Sequence, residues 1–162
     1  MGFDVYGLNP KLNTKKPSSI KYMDSGENTS WSDRFLKLSI EDRDKYIKDK
    51  HKWENENKGI YFRNNCWFWR PLWDYVYHIC DDLITEEQWD SGHCNNGESF
   101  NTNTAKEIAI KLYTSVEDGR AEAYKERYMK EPDNDNSNYP FDVENVKEFA
   151  DFCNESGGFQ IY

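Results

Sequence analysis

The sequence predicts an α+β protein, predominantly helical, folded as a single domain around a small sheet of short N-terminal, central and C-terminal strands. Three observations lead there. Apolar residues recur at helical spacing over residues 71–83, 104–118, 120–130 and 142–156. Short β-type runs stand at residues 3–8, 59–63 and 159–162. A chain of 162 residues fits one domain, and at that size folding buries roughly 70% of the unfolded surface.

In order along the chain, Phe3 to Leu8 reads as the first strand, with Phe3 and Val5 on one side. Residues 9–33, rich in Asn-Pro, Lys-Lys-Pro-Ser-Ser and Asp-Ser-Gly-Glu-Asn, read as a long mobile loop. Ser39 caps a helix from Ile40 to about Asn57, whose thin apolar face (Ile40, Tyr46, Ile47, Trp53) places it on the surface. Gly59 to Arg63 is the central strand. Pro71 suits the first turn of the next helix, where its missing N–H has no partner to lose. Leu72, Val76, Ile79, Cys80 and Leu83 form that helix's stripe.

Thr85-Glu-Glu-Gln88 is a capping-box pattern, and residues 91–101 are turn chemistry. A second capping box, Thr104 to Glu107, opens a helix with Ala105, Ile108, Ala109, Leu112 and Val116 on one face and Gly119 at its end. Residues 120–130 form a further helix burying Ala121, Tyr124 and Tyr128. Residues 131–139 read as a mobile acidic loop. Asp142 caps the last helix, with Phe141 and Val146 at staple positions and Val143, Phe149, Ala150 and Cys153 inward. Gly157-Gly158 ends it before the final strand.

Aromatic residues make up 16% of the chain against 36% for all hydrophobics, so the core rests on Trp, Tyr and Phe. The formal net charge is −9; residues 1–80 carry 14 basic and 11 acidic groups, residues 81–162 carry 7 and 19. So acidic a second half repels phosphate chains, and direct DNA binding is not expected. The four cysteines form no C-x-x-C pair and read as reduced thiols. No apolar run is long enough to span a membrane, and no leader segment is visible, which predicts a cytoplasmic protein.

The segment Tyr61-Phe-Arg-Asn-Asn-Cys-Trp-Phe-Trp-Arg-Pro-Leu-Trp73 carries the most chemistry. Arg63 and Arg70 can grip phosphate bidentately, and Tyr61, Trp67, Trp69 and Trp73 can stack bases. Asn64 and Asn65 can read a base edge or cap a helix. The competing reading places these rings in the core. His93 is added as a ligand-facing residue; with Cys94 it is also a base and nucleophile pair, though nothing orients it. Asp74, His78 and Asp82 share a helix face that reads as a solvated stripe or a metal row. Asp133, Asp135, Ser137 and Glu144 match part of a calcium loop, with Asn138 where glycine is usual. No P-loop, G-x-G-x-x-G, G-x-S-x-G or H-E-x-x-H occurs. No metal or cofactor is expected.

Three stretches resemble a family of small uncharacterised bacteriophage proteins: the opening from Gly2 to Pro10, Tyr61–Asn65 with Trp69–Trp73, and the ending from Pro140 to Phe159. Some relatives carry a Cys-rich knuckle before the last helix; this chain has Asp133–Asn138 there, so no zinc role carries over. The resemblance implies an intracellular protein made in an infected bacterium. The resulting expectation is a binding protein rather than an enzyme, one that sequesters a nucleotide-type host signal, counters host defence and can assemble as a homo-oligomer. The alternatives are an acidic inhibitor that binds a host nucleic-acid enzyme, and a small nucleotide-acting enzyme using His93 or Cys94.

Overall fold

The computed structural model describes residues 2–25, 29–131 and 139–162. They form an α+β fold dominated by helices, with one four-stranded antiparallel sheet. The chain gathers into two compact units, residues 1–11 with 58–162, and residues 12–57.

The first unit holds the sheet. Strands β1 (Gly2–Gly7), β2 (Tyr61–Asn65), β3 (Ser99–Phe100) and β4 (Phe159–Ile161) lie in the order β2-β1-β4-β3. The three expected strands do share one sheet. Strand β3 lies inside the stretch expected to be turn, because two residues are too few to show alternation. Tyr6 pairs with Tyr61 and Gln160, and Asp4 pairs with Arg63. Strand alternation then sends Phe3, Val5, Phe62, Phe159 and Ile161 to the buried face.

That face packs on α4 (Cys66–Ile79) and α8 (Val143–Ser156), and α5 (Glu86–Ser91), α6 (Thr102–Glu117) and α7 (Arg120–Lys130) complete the unit around them. Phe149 of α8 stands among Phe62, Trp69, Trp73, Phe152 and Phe159, all with ring centroids within 6.5 Å. Trp69 stacks on Phe3 at 5.3 Å and on Trp73 at 5.4 Å. Their indole N–H groups donate to the Gly92 carbonyl (3.0 Å) and the Trp89 carbonyl (2.9 Å), so burial leaves neither unpaired.

Helix α4 corrects the expected boundary. It begins five residues before Pro71, because the Asn65 side chain accepts from the Trp67 and Phe68 amides, both at 3.1 Å. Pro71 therefore lies inside the helix, and the carbonyl it leaves without a donor is that of Trp67, on the exposed first turn. The helix stops at Ile79, short of Leu83. Helix α6 likewise starts earlier than expected: Asn101 caps it, accepting from Asn103 and Thr104, and Thr104 is already inside. The Thr85–Gln88 capping box and the Asp142 cap form as expected.

Two glycines are needed for geometry. A Cβ on Gly7 would fall 2.0 Å from the Gly59 carbonyl oxygen, where the start of β2 crosses β1. Gly157 has φ +63°, and a Cβ there would meet the Asn9 carbonyl oxygen at 2.0 Å.

The second unit consists of α1 (Ser18–Asp24), α2 (Trp31–Lys37) and α3 (Ile40–Glu56). The expected loop over residues 9–33 is thus partly helical. Pro17 presets the start of α1, and Ile20 and Met23, three apart, bury on one side. The two apolar residues are too few to display a period in the sequence. Trp31, Phe35 and Tyr46 form a ring cluster, with Trp31 stacked on Phe35 at 4.9 Å.

Asn57 closes this unit. It is fully buried; its Oδ1 accepts from the Asn13 and Thr14 amides (2.6 and 3.1 Å), and its Nδ2 donates to Thr14 Oγ1 and the Trp53 carbonyl (2.8 and 2.7 Å). Asn57→Ala removes a buried side chain that joins four groups by hydrogen bonds and is expected to cost about 2–3 kcal/mol, felt in this unit. Amide exchange should then accelerate over residues 12–57 and stay unchanged in the sheet; equal acceleration in both would refute this.

Candidate functional site

The outward face of the sheet gathers side chains from three strands by alternation alone. Asp4 and Tyr6 come from β1, Tyr61 and Arg63 from β2, Gln160 from β4, and Tyr162 from the residue after it. Tyr162 is placed by paired backbone bonds with Asp4, at 2.7 and 2.8 Å. The Tyr6 ring lies 5.2 Å from Tyr61 and 6.1 Å from Tyr162, tilted by 39° and 66°. Tyr6 and Tyr162 each keep 47% of their surface exposed. Flat rings on an open antiparallel sheet can stack a planar ligand.

Asp4 sits among these rings. It accepts the Tyr61 hydroxyl and lies 3.6 Å from Arg63 Nε. Partial burial and the bond to Asp4 push the Tyr61 phenol well above its ordinary range, so it remains a donor. The Arg63 side chain is 63% exposed, with its outer edge open to an anion. Gln160 is held by a 2.8 Å bond from its Nε2 to the Gly97 carbonyl. The arrangement offers stacking surfaces, an acceptor for a base N–H, and a guanidinium for a phosphate.

Of the residues expected to face a ligand, Tyr61 and Arg63 come together here. Asn64 points to the other side of the sheet and donates to Asn145 Oδ1 at 2.9 Å. Asn65 is the α4 cap. Trp69 and Trp73 are fully buried, so for them the core reading holds and no ring surface is left for a ligand. Trp67 is exposed and packs on Tyr139 at 5.1 Å. Arg70 is exposed on α4, with no ion pair among the described residues. Tyr6, Gln160 and Tyr162 were missed. Their strands were legible, but strand pairing was needed to bring them beside Tyr61.

His93 is bound elsewhere. Its Nε2 lies 3.1 Å from Asp74 Oδ1, which also accepts the Trp89 indole N–H at 2.9 Å. Its Nδ1 is buried without a partner. Cys94 is exposed, while burial pushes the Cys80 thiol up to about 12 and Cys153 well above its usual value. The Asp74, His78, Asp82 row disperses: Asp74 serves His93 and Trp89, His78 packs on Tyr124, and Asp82 pairs with Lys111. Among the described residues no group of three ligating side chains could hold a metal ion. Asp133, Asp135, Ser137 and Asn138 of the suggested calcium loop, and residues 132–138 of the acidic loop, lie outside the described residues. No described helix is long and apolar enough to cross a membrane.

No family model, curated protein or solved structure matches the chain, so any functional reading rests on its own residues.

Proposed function

We propose that this chain is a binding protein, made by a phage in its host, that holds a nucleotide-type host signal on the outer face of its sheet and so withdraws it from host defence. The observation that carries the reading is the open cluster of Tyr6, Tyr61 and Tyr162 beside Arg63. Stacking on tyrosine supplies roughly 1–3 kcal/mol per base, and useful sequestration needs about −12 kcal/mol. Arg63–phosphate bonds and base contacts to Asp4 contribute part of the difference. An open face stacks a base on one side only, so a second copy of the chain facing it would supply the rest.

The net charge of residues 1–11 with 58–162 is −10, from 11 basic and 21 acidic groups. That favours a short ligand over a long polyanion. The test is a melting-temperature screen of the purified chain against linear and cyclic nucleotides. A stabilised melt is expected for at least one, weakened about tenfold or more in affinity by Tyr6→Ala or Arg63→Ala. A flat response across the panel would sink the reading.

The same −10 favours a second reading, an acidic inhibitor seated in the basic cleft of a host nucleic-acid enzyme. It predicts capture of such an enzyme from host lysate at low salt and release at high salt; no capture at low salt removes it.

A further inference from the structure

A cleft of about 170 Å³ between α4 and α7 is lined by Tyr75, His78, Arg120, Tyr124 and Arg127. Its walls are aromatic. Tyr124 lies 4.7 Å from the Tyr75 ring and 5.5 Å from the His78 ring. Its rim is cationic, within an otherwise acidic unit. The Arg127 guanidinium rests 5.3 Å above the Tyr124 ring and has no carboxylate partner among the described residues. Arg120 is tied to Asp118 through Nε only, at 2.8 and 3.0 Å, which leaves both terminal nitrogens uncommitted. Asp74, an acidic group on α4, is occupied by His93 and Trp89.

A second, independent feature points to a ligand. Tyr75 is fully buried, and its hydroxyl makes no hydrogen bond of ordinary length, although the Ser115 side chain is near enough to act on it. A buried polar group left so is rare and unfavourable. Burial raises this phenol, opposed by the Ser115 side chain and then by the Arg120 charge.

We propose that this cleft is a binding site for a small phosphate monoester, separate from the sheet face. Two guanidiniums can fork onto the phosphoryl oxygens, and the Tyr75 O–H supplies a further donor. The aromatic walls flank the ester oxygen and the first carbon beyond it, the part of the ligand at the mouth of the cleft. The volume is below the several hundred Å³ of sites that engulf a whole drug-sized ligand. It therefore takes the phosphoryl end and leaves the remainder outside, and a bulky diester is excluded.

The test titrates the full chain with inorganic phosphate and with adenosine monophosphate, following the His78 ring resonances and the melting temperature. Both ligands are expected to shift the His78 signals and raise the melt. Arg127→Ala should weaken both about tenfold or more, since charge-assisted bonds are the strong ones. Tyr75→Phe should weaken them severalfold while leaving the ligand-free melt unchanged or higher, because it deletes an unpaired hydroxyl. Arg63→Ala, on the sheet face, should leave this binding intact. No binding of either ligand, binding unaffected by Arg127→Ala, or binding lost in Arg63→Ala would each overturn the proposal.

Discussion

Trp69→Ala is expected to lower the unfolding free energy by about 3–5 kcal/mol, a fifth or more of the roughly 5–15 kcal/mol a domain typically has. The ring is fully buried between Phe3 and Trp73, edge-on to Phe149, and its N–H is spent on Gly92. Truncation opens a cavity at the junction of β1, α4 and α8 and leaves the Gly92 carbonyl without its donor. Trp67→Ala, two residues earlier, removes a ring that is 46% exposed and should cost much less, about 1 kcal/mol. Urea unfolding of both variants measures the contrast. Equal losses would mean that the inward and outward sides of α4 are misassigned.

Gly7→Ala is expected to be as damaging or worse, above about 4 kcal/mol, for a different reason. The added methyl would sit 2.0 Å from the Gly59 carbonyl oxygen and 3.0 Å from that of Ser156. Both obstacles are backbone, so no side chain can turn aside. The Gly7 N–H bond to the Ile60 carbonyl, at 3.0 Å, fixes the same crossing. Relief requires β1 to part from the start of β2, which also dismantles the Tyr6–Tyr61 pair. Loss of the near-ultraviolet circular dichroism of the packed aromatics should report it. A native-like spectrum with an unchanged melt would contradict the close approach.

The helices were legible where the sequence carries a clear cap, as in Ser39 with the thin-faced α3, and most fully where a sustained apolar period follows it, as in Asp142 with α8. They were misjudged where a cap sat inside an ambiguous run. Asn65 looked equally fit to read a base, and Pro71 drew the start of α4 toward itself, although a proline in the second turn is tolerated when the carbonyl it deprives is exposed. Helix α1 and strand β3 carry too few residues for any period to register.

The candidate site was half legible. Tyr61 and Arg63 alternate with Phe62 in one strand, so their shared outward direction could be read locally. Trp69 and Trp73 share a helix face with Leu72 and Val76, which is also what a core stripe looks like, and burial decided between the two. Tyr6, Gln160 and Tyr162 are distant in sequence and meet Tyr61 only through the register of β1 with β2 and β4. The Arg120–Arg127 cleft depends on how α7 lies against α4, which no local pattern encodes.

The most direct check follows tyrosine and tryptophan ring resonances while a nucleotide that stabilises the chain is added. Tyr6, Tyr61 and Tyr162 should move together, with Trp69 and Trp73 still. If those three tyrosines stay fixed while the nucleotide binds, the sheet face is not where it is held.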